Sequence, residues 1–290
     1  MDKKIINLST PQPEGHDSLR IDTERGVSFP RLTGRSLKAA ECIKNNFSRY
    51  AHLYDKYSSI QEKIAAELIE NIRLNGWRNI LELGCGTGNF TRLLRNKFKQ
   101  AKLKAVDISQ EMVAVCRRKL PEKQLEFIIA DAEELELDEY FDLVTSNATF
   151  QWFLDLEGAL AKYAGCLRKG GVILFSTFGP QTFCQLDWVL RSLFKDAAVP
   201  ASFFASREKL EGILRKNFST SKVVEKIYQE NFSCLRDLLL NIKYSGIRGN
   251  GLGKKKFFSL RNLDRMQAIY LDKFKDIAVT YQVFYCRGIK

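Results

Sequence analysis

"ILELGCGTGNF", residues 80–90, runs a buried-type strand straight into a turn with Gly84, Gly86 and Gly88 at alternate positions, and a helix-like segment follows. Glycine is needed where a backbone turns tightly and meets a ligand with no Cβ in the way. A turn between strand and helix also aims its N–H groups at that ligand. Acidic Glu82 precedes the turn. Outward from it, "VDIS" (106–109) ends the next strand with Asp107, nineteen residues after Gly88. That spacing suits a carboxylate reaching both hydroxyls of a ribose. "ADAEEL" (130–135) closes a third strand with Asp131. A dinucleotide turn reads G-x-G-x-x-G; here G-x-G-x-G is followed by Asn89, Phe90 and Thr91. An adenosine with an amino-acid tail fits this turn better than a diphosphate.

The flanking sequence supplies the fold class. "WRNILELG" (77–84), "KLKAVDI" (102–108), "LEFIIAD" (125–131), "FDLVTSN" (141–147) and "GVILFSTF" (171–178) are short apolar runs. Charged, helix-like segments separate most of them, the pattern of parallel strands joined by crossover helices. "SKVVEKIYQENF" (221–232) and the terminal "DIAVTYQVFYCR" read as two further strands. The expected fold is α/β with helical insertions at about 180–220 and 233–275. Residues 36–75 read as helical, with Ile60, Ile64, Leu68 and Ile72 at helical spacing. Pro, Gly and charge mark a flexible lead, set at residues 1–44 and densest over the first 35. Residues 45–290 then form a single domain with its ligand-binding core at about 77–178.

Composition narrows the function classes. The chain has 290 residues and is 45% hydrophobic, enough for one core carrying an insertion. No run approaches the roughly 18 apolar residues of a membrane span, and the N-terminus lacks a secretory apolar segment, so a cytoplasmic protein is expected. The 7 Cys are scattered without a CxxC pair and only 2 His occur, at positions 16 and 52. This points to reduced thiols, no metal centre and chemistry without a His base. Of the +12 net charge, residues 201–290 hold +10 (18 Lys/Arg against 8 Asp/Glu). That surplus is either a solvated basic face or a docking surface for a polyanion.

"LELGCGTG", "VDIS", "ADAEEL", "FDLVTSNATFQW" and "LRKGGVILFSTF", in this order, resemble the motifs of class I S-adenosylmethionine-dependent methyltransferases. The resemblance implies a seven-stranded Rossmann-like sheet, mostly parallel with the last strand antiparallel, and a helical lid. It implies S-adenosylmethionine as methyl donor and no metal. By position, Glu82, Gly84, Gly86 and Gly88 would hold the methionine moiety, and Asp107 with Ile108 the ribose. Asp131, Ala132 and Glu133 would lie near the adenine, with Asn147 facing the methyl donor. "NNFSRYAHLYDKYSSIQ" (45–61), "SNATFQWF" (146–153) and "STFGPQTFCQL" (176–186) are similar to the malonyl-acyl-carrier-protein O-methyltransferase family of biotin synthesis. That likeness implies methylation of a malonyl carboxylate on a carrier protein. It also implies a lid that puts Arg49, Tyr54 and Gln61 near the methionine carboxylate.

The chemistry agrees without the resemblance. A carboxylate with a pKa of about 4 is already ionised at pH 7, so methyl transfer to it needs no general base. It needs alignment and a dry wall. Phe150, Trp152, Phe153, Phe178, Phe183, Phe203 and Phe204 are candidates for that wall, with Tyr50 and Gln151 beside the substrate. Lys243 and Arg248 in "IKYSGIRGNG" (242–251) are candidates for the orienting cation. Tyr50 and Tyr54 equally suit a helix core. Arg117, Arg118 and Lys119 suit a helix C-terminus, and Lys254–Lys256 suit a solvated loop or a carrier-protein contact. Other small carboxylates, a quinone-like carbon, RNA, or a non-catalytic assembly role remain open. Against RNA, the chain has no amino-methylation motif after the fourth strand.

Overall fold

The computed structural model describes residues 37–72, 76–120, 123–194, 197–246 and 259–290. Among them one sheet of 7 strands forms the centre, in the order β3-β2-β1-β4-β5-β7-β6. The strands are β1 (Asn79–Leu83), β2 (Lys102–Asp107), β3 (Leu125–Ile129), β4 (Phe141–Asn147), β5 (Leu167–Phe178), β6 (Thr220–Phe232) and β7 (Ile277–Ile289). The first five pair in parallel, and β7 runs antiparallel to both β5 and β6. This is the sheet the motifs imply.

The parallel strands read as near-continuous apolar runs because both faces are covered. Ile80, Leu103, Ala105 and Leu143 pack on one face with α3 (Ser59–Glu70), α4 (Asn89–Lys97) and α5 (Gln110–Lys119). Leu81, Leu83, Val106 and Val144 pack on the other with α6 (Leu156–Gly165) and α8 (Arg207–Asn217). Ile60, Ile64, Leu68 and Ile72 are all buried, as their spacing requires. On the first face α7 (Cys184–Leu193), α9 (Leu235–Tyr244) and α10 (Leu260–Phe274) cover β5 and β7.

Most strand boundaries shift by one or two residues from the sequence reading, and two differ in a way that matters. Helix α1 (Leu37–Tyr50) begins inside the stretch assigned to the lead, so residues 37–44 are part of the domain. Residues 1–36 lie outside the described residues. Strand β5 begins at Leu167, four residues early, with Gly170 at φ +77° and a register shift between Phe141 and Leu143 on β4. The polar "RKG" hid it from a pattern sought in apolar residues.

The chain lays down β1, β2 and β3 toward one edge and returns to place β4 on the other side of β1. Open parallel sheets bind ligands at the carboxyl ends of the strands flanking such a reversal. The candidate site lies there.

Candidate methyl-donor cleft

A cleft opens to solvent at the ends of β1, β2, β3 and β4, with about 810 Å³ of empty space counting the solvent at its mouth. Its floor is the glycine turn after β1. Backbone N–H groups of Gly84 and Cys85 both donate to Val106 O, at 2.7 and 2.9 Å, fastening the turn to β2. Gly84 has φ +73°, and a Cβ there would stand 2.0 Å from Thr149 Oγ1. Gly88 has φ +90°, and its Cβ would meet Cys116 Sγ at 2.4 Å. Both glycines are therefore dictated by backbone conformation and by close approach. Gly84 and Gly86 line the cleft, while Gly88 sits behind it at the start of α4.

Carboxylates surround this floor. Asp107 accepts from Gly86 N–H at 2.8 Å through Oδ2 and from Ser109 N–H at 2.9 Å through Oδ1. Burial pushes its carboxyl up to about 6, although those amides favour the ionised form. Glu82 is fully buried just before the turn, and neither oxygen has a hydrogen-bond partner of good geometry among the described residues. Burial pushes it up to about 8, with the nearby Thr91 hydroxyl pulling back only in part. Asp131 Oδ1 accepts from Glu133 N–H at 2.9 Å, and Glu133 Oε1 from Asp155 N–H at 2.7 Å. Ile108, Asp131, Ala132 and Glu133 all line the cleft.

The opposite wall comes from the end of β4 and the lid. Asn147 donates through Nδ2 to Gln61 O at 3.0 Å and accepts from Ser176 Oγ at 2.8 Å, so both ends of its amide are held. Ala148 takes φ +53°. That left-handed residue turns the chain into the short helix Phe150–Trp152. The aromatics then divide. Phe150 is buried against Phe153 and Phe175, with ring centroids 4.8 and 4.4 Å away. Trp152 and Phe153 line the cleft, where Trp152 meets Phe47 edge-on at 6.3 Å and Phe204 at 5.5 Å. Phe150→Ala should therefore cost about 3–5 kcal/mol of stability, read from denaturant unfolding. Trp152→Ala should cost far less stability than that and lower turnover instead.

Lid helix α2 (Tyr54–Tyr57) brings Tyr54 to the cleft, its ring 6.3 Å from Phe47. Several residues chosen from the sequence stand elsewhere. Phe178 and Phe183 are core, both packed on Tyr281. Phe203 is 61% exposed. Gln151 is engaged locally, donating to Ala148 O at 2.5 Å and accepting from Thr177 Oγ1 at 3.1 Å. Gln61 is buried and donates to Ser245 O at 3.2 Å. Lys243 is 6% exposed, with its Nζ 5.4 Å from the Tyr50 ring and 4.8 Å from that of Tyr244. Arg49 also lies against Tyr50, its guanidinium 6.0 Å from the ring centroid. None of Arg49, Tyr50, Gln61, Glu82, Gln151, Phe178 and Lys243 lines the cleft; Glu82 lies fully buried behind the glycine turn. Arg248 and Lys254–Lys256 lie outside the described residues. Phe47, Met112, Thr149 and Leu154, which do line the cleft, escaped the sequence reading. Only Phe47 and Thr149 fell within motifs quoted for other reasons.

Known proteins match this chain in sequence and in fold. Residues 81–175 match the family described as "Methyltransferase domain". The malonyl-[acyl-carrier protein] O-methyltransferase of Acetivibrio thermocellus is 32% identical, covering 84% of this chain and 90% of its own. The second such enzyme of Ilyobacter polytropus is 34% identical, over 85% of this chain and 91% of its own. The chain belongs to the malonyl-[acyl-carrier protein] O-methyltransferase family. Solved structures agree on the fold. A putative methyltransferase from Bacillus halodurans superposes with TM-score 0.55 at 15% identity, over 79% of this chain and 99% of its own. A Haemonchus contortus phosphoethanolamine N-methyltransferase, solved with S-adenosylhomocysteine, gives 0.53 at 18%, over 85% and 59%. The chain thus shares its fold with these methyltransferases. Among its described residues, no helix is long and apolar enough to cross a membrane. Nor do three or more His, Cys, Asp or Glu converge to hold a metal.

Proposed function

We propose that this protein transfers the methyl group of S-adenosylmethionine to the free carboxylate of a malonyl group borne by acyl-carrier protein. The ester would hide that charge and prime pimelate formation in biotin synthesis. What carries the reading is the agreement of relatives 32% and 34% identical over at least 84% of this chain, all named for that reaction.

The residues present suit the donor. S-Adenosylmethionine, when bound, supplies an electrophilic methyl group on a cationic sulfonium. Asp107 has lone pairs left on both oxygens for a ribose diol. Glu82, buried without a good partner, suits the ammonium of an amino-acid tail. Asp131 and Glu133, which line the same cleft, would suit the polar edge of an adenine. Together these acids favour a cationic ligand over a neutral one.

The acceptor side needs little chemistry. A malonyl carboxylate is ionised at neutral pH. Tyr54 is held in its neutral phenol form, because burial raises its pKa, and His52 is exposed. What the cleft offers is a water-excluding wall of Phe47, Trp152 and Phe153, and alignment worth up to ~7–11 kcal/mol in favourable cases. The acidic carrier would dock on the basic surface of residues 201–290. Nucleic acid is not the partner in this reading.

The enzyme with methyl-labelled S-adenosylmethionine should place alkali-labile label on malonyl-carrier protein and far less on malonyl-CoA. Label that enters RNA, or that survives alkali, overturns the ester assignment.

A further inference from the structure

We propose that Asp55 is a positioning residue, a latch whose carboxylate clamps helix α2 to the glycine loop and so holds Tyr54 over the methyl-donor cleft. The inference rests on reading that cleft as an S-adenosylmethionine site. Helix α2 is four residues long, buries none of them fully (Tyr54 is half-buried, its ring turned into the cleft) and has no side-chain N-cap bond. A helix this short has little stability of its own, so something else must hold it against the cleft.

Asp55 supplies that hold from one side chain. Its Oδ1 accepts from Thr87 Oγ1 at 2.5 Å and from Asn89 Nδ2 at 3.3 Å, while its Oδ2 pairs with Lys119 Nζ. Thr87 is the residue between Gly86 and Gly88, and it is 1% exposed. Asn89 opens α4, and Lys119 closes α5. Asn89 Nδ2 also donates to Glu62 Oε1 at 3.1 Å, adding α3 to the same knot. Residues from α2, the glycine loop, α4 and α5 thereby converge on one carboxylate, beside the tyrosine that reaches the cleft.

The alternative is an ordinary surface pair. The Asp55 and Lys119 side chains are 41% and 34% exposed, and such pairs contribute little by themselves. The buried Thr87 hydroxyl argues otherwise. It ties the lid to the very backbone segment that floors the cleft, so opening the lid and loosening that floor are one event. Lys119 then has a role beyond matching the end of its own helix.

Asp55, Thr87, Asn89 and Lys119 all stand outside the lining of the cleft. A latch that touches neither donor nor product must affect both equally. A residue that senses the sulfonium would discriminate between them. In stopped-flow binding followed by Trp fluorescence, Asp55→Ala should speed dissociation of S-adenosylmethionine and S-adenosylhomocysteine alike. About tenfold is expected for losing charge-assisted hydrogen bonds. KM for the donor should rise with it, while kcat at saturation stays within about threefold. Asp55→Asn, which keeps an acceptor for Thr87, should fall between Ala and wild type. Salt should speed dissociation from the wild type and not from Lys119→Met, whose latch has no ion pair to screen.

Unequal effects on the two ligands, or unchanged dissociation rates in Asp55→Asn and Lys119→Met, overturn the latch. These two variants decide the matter should Asp55→Ala fail to fold. Wild-type protein that binds neither ligand overturns the cleft assignment and the latch with it. Normal wild-type binding with unaffected variants overturns the latch alone.

Discussion

Glu82→Gln should make the ligand-free protein more stable at pH 8 and, in the same molecule, weaken S-adenosylmethionine binding by about 30–100-fold. The stability half follows from linkage. An unfolded glutamate titrates near its model value of 4.5, whereas burial holds the folded Glu82 up at about 8. Below pH 4.5 both states are protonated and no penalty arises. Between 4.5 and 8 the unfolded state ionises while the folded state keeps its proton. Stability is therefore lost as pH rises through that window, at about 1.4 kcal/mol per unit. The loss sums to about 3–5 kcal/mol by pH 8.

Glutamine cannot ionise, so it escapes this loss, less about 1–3 kcal/mol for burying an amide without partners. The sharper readout is the pH dependence. The stability advantage of the variant, measured by denaturant unfolding, should grow steadily from pH 5 to pH 8. A constant difference would show that Glu82 ionises freely in the fold. The binding half follows from the proposal that Glu82 holds the donor's ammonium, which would need the carboxylate that the ligand-free fold disfavours. A site that destabilises its own scaffold in this way is the usual stability–function trade-off.

The sequence put its strand-end candidates on the cleft more reliably than its aromatic ones. Gly84, Asp107, Asp131 and Asn147 sit at or beside strand ends, where the local pattern fixes both the element and the direction in which the chain leaves it. Strand β4 was legible to the residue. The acceptor wall was not, because an aromatic side chain suits a core and a wall equally well. Phe150 and Trp152 are two residues apart, yet one is core and the other faces the cleft. Phe178 ends a strand with the right direction and is still core, because Tyr281 of β7 packs on it across a pairing no local pattern reveals. Lys243 was chosen as a cation near the substrate. The fold surrounds it with Tyr50 and Tyr244, which come from opposite halves of the sequence and share no motif. Asp55 was overlooked for the same reason, since its partners lie 32, 34 and 64 residues away.

Asp107→Ala should abolish tight cofactor binding, weakening it by more than about 100-fold, because two kinds of contact fail together. On the proposed reading a ribose would lose a charged acceptor, and Gly86 N–H and Ser109 N–H lose the carboxylate that holds the turn against β2. Asp107→Asn should do nearly as badly. Its amide presents an NH₂ to one of two backbone donors, so one of them must go unsatisfied. The wild type should carry a matching pH signature. With the carboxyl at about 6, protonation competes with the ligand. The dissociation constant for S-adenosylhomocysteine should therefore rise about tenfold between pH 7 and pH 5, in the direction of lost ionisation. Glu82 acts over a higher window, so wild-type binding should tighten in two steps as pH rises, the first near 6 and the second approaching 8. Glu82→Gln should erase only the upper step, and Asp107→Asn only the lower. Calorimetric titrations of the three proteins from pH 5 to pH 8.5 read both. A wild-type profile flat across that range would mean that neither acid exchanges its proton for the ligand, and the assignment of ribose and ammonium to these two carboxylates would fail.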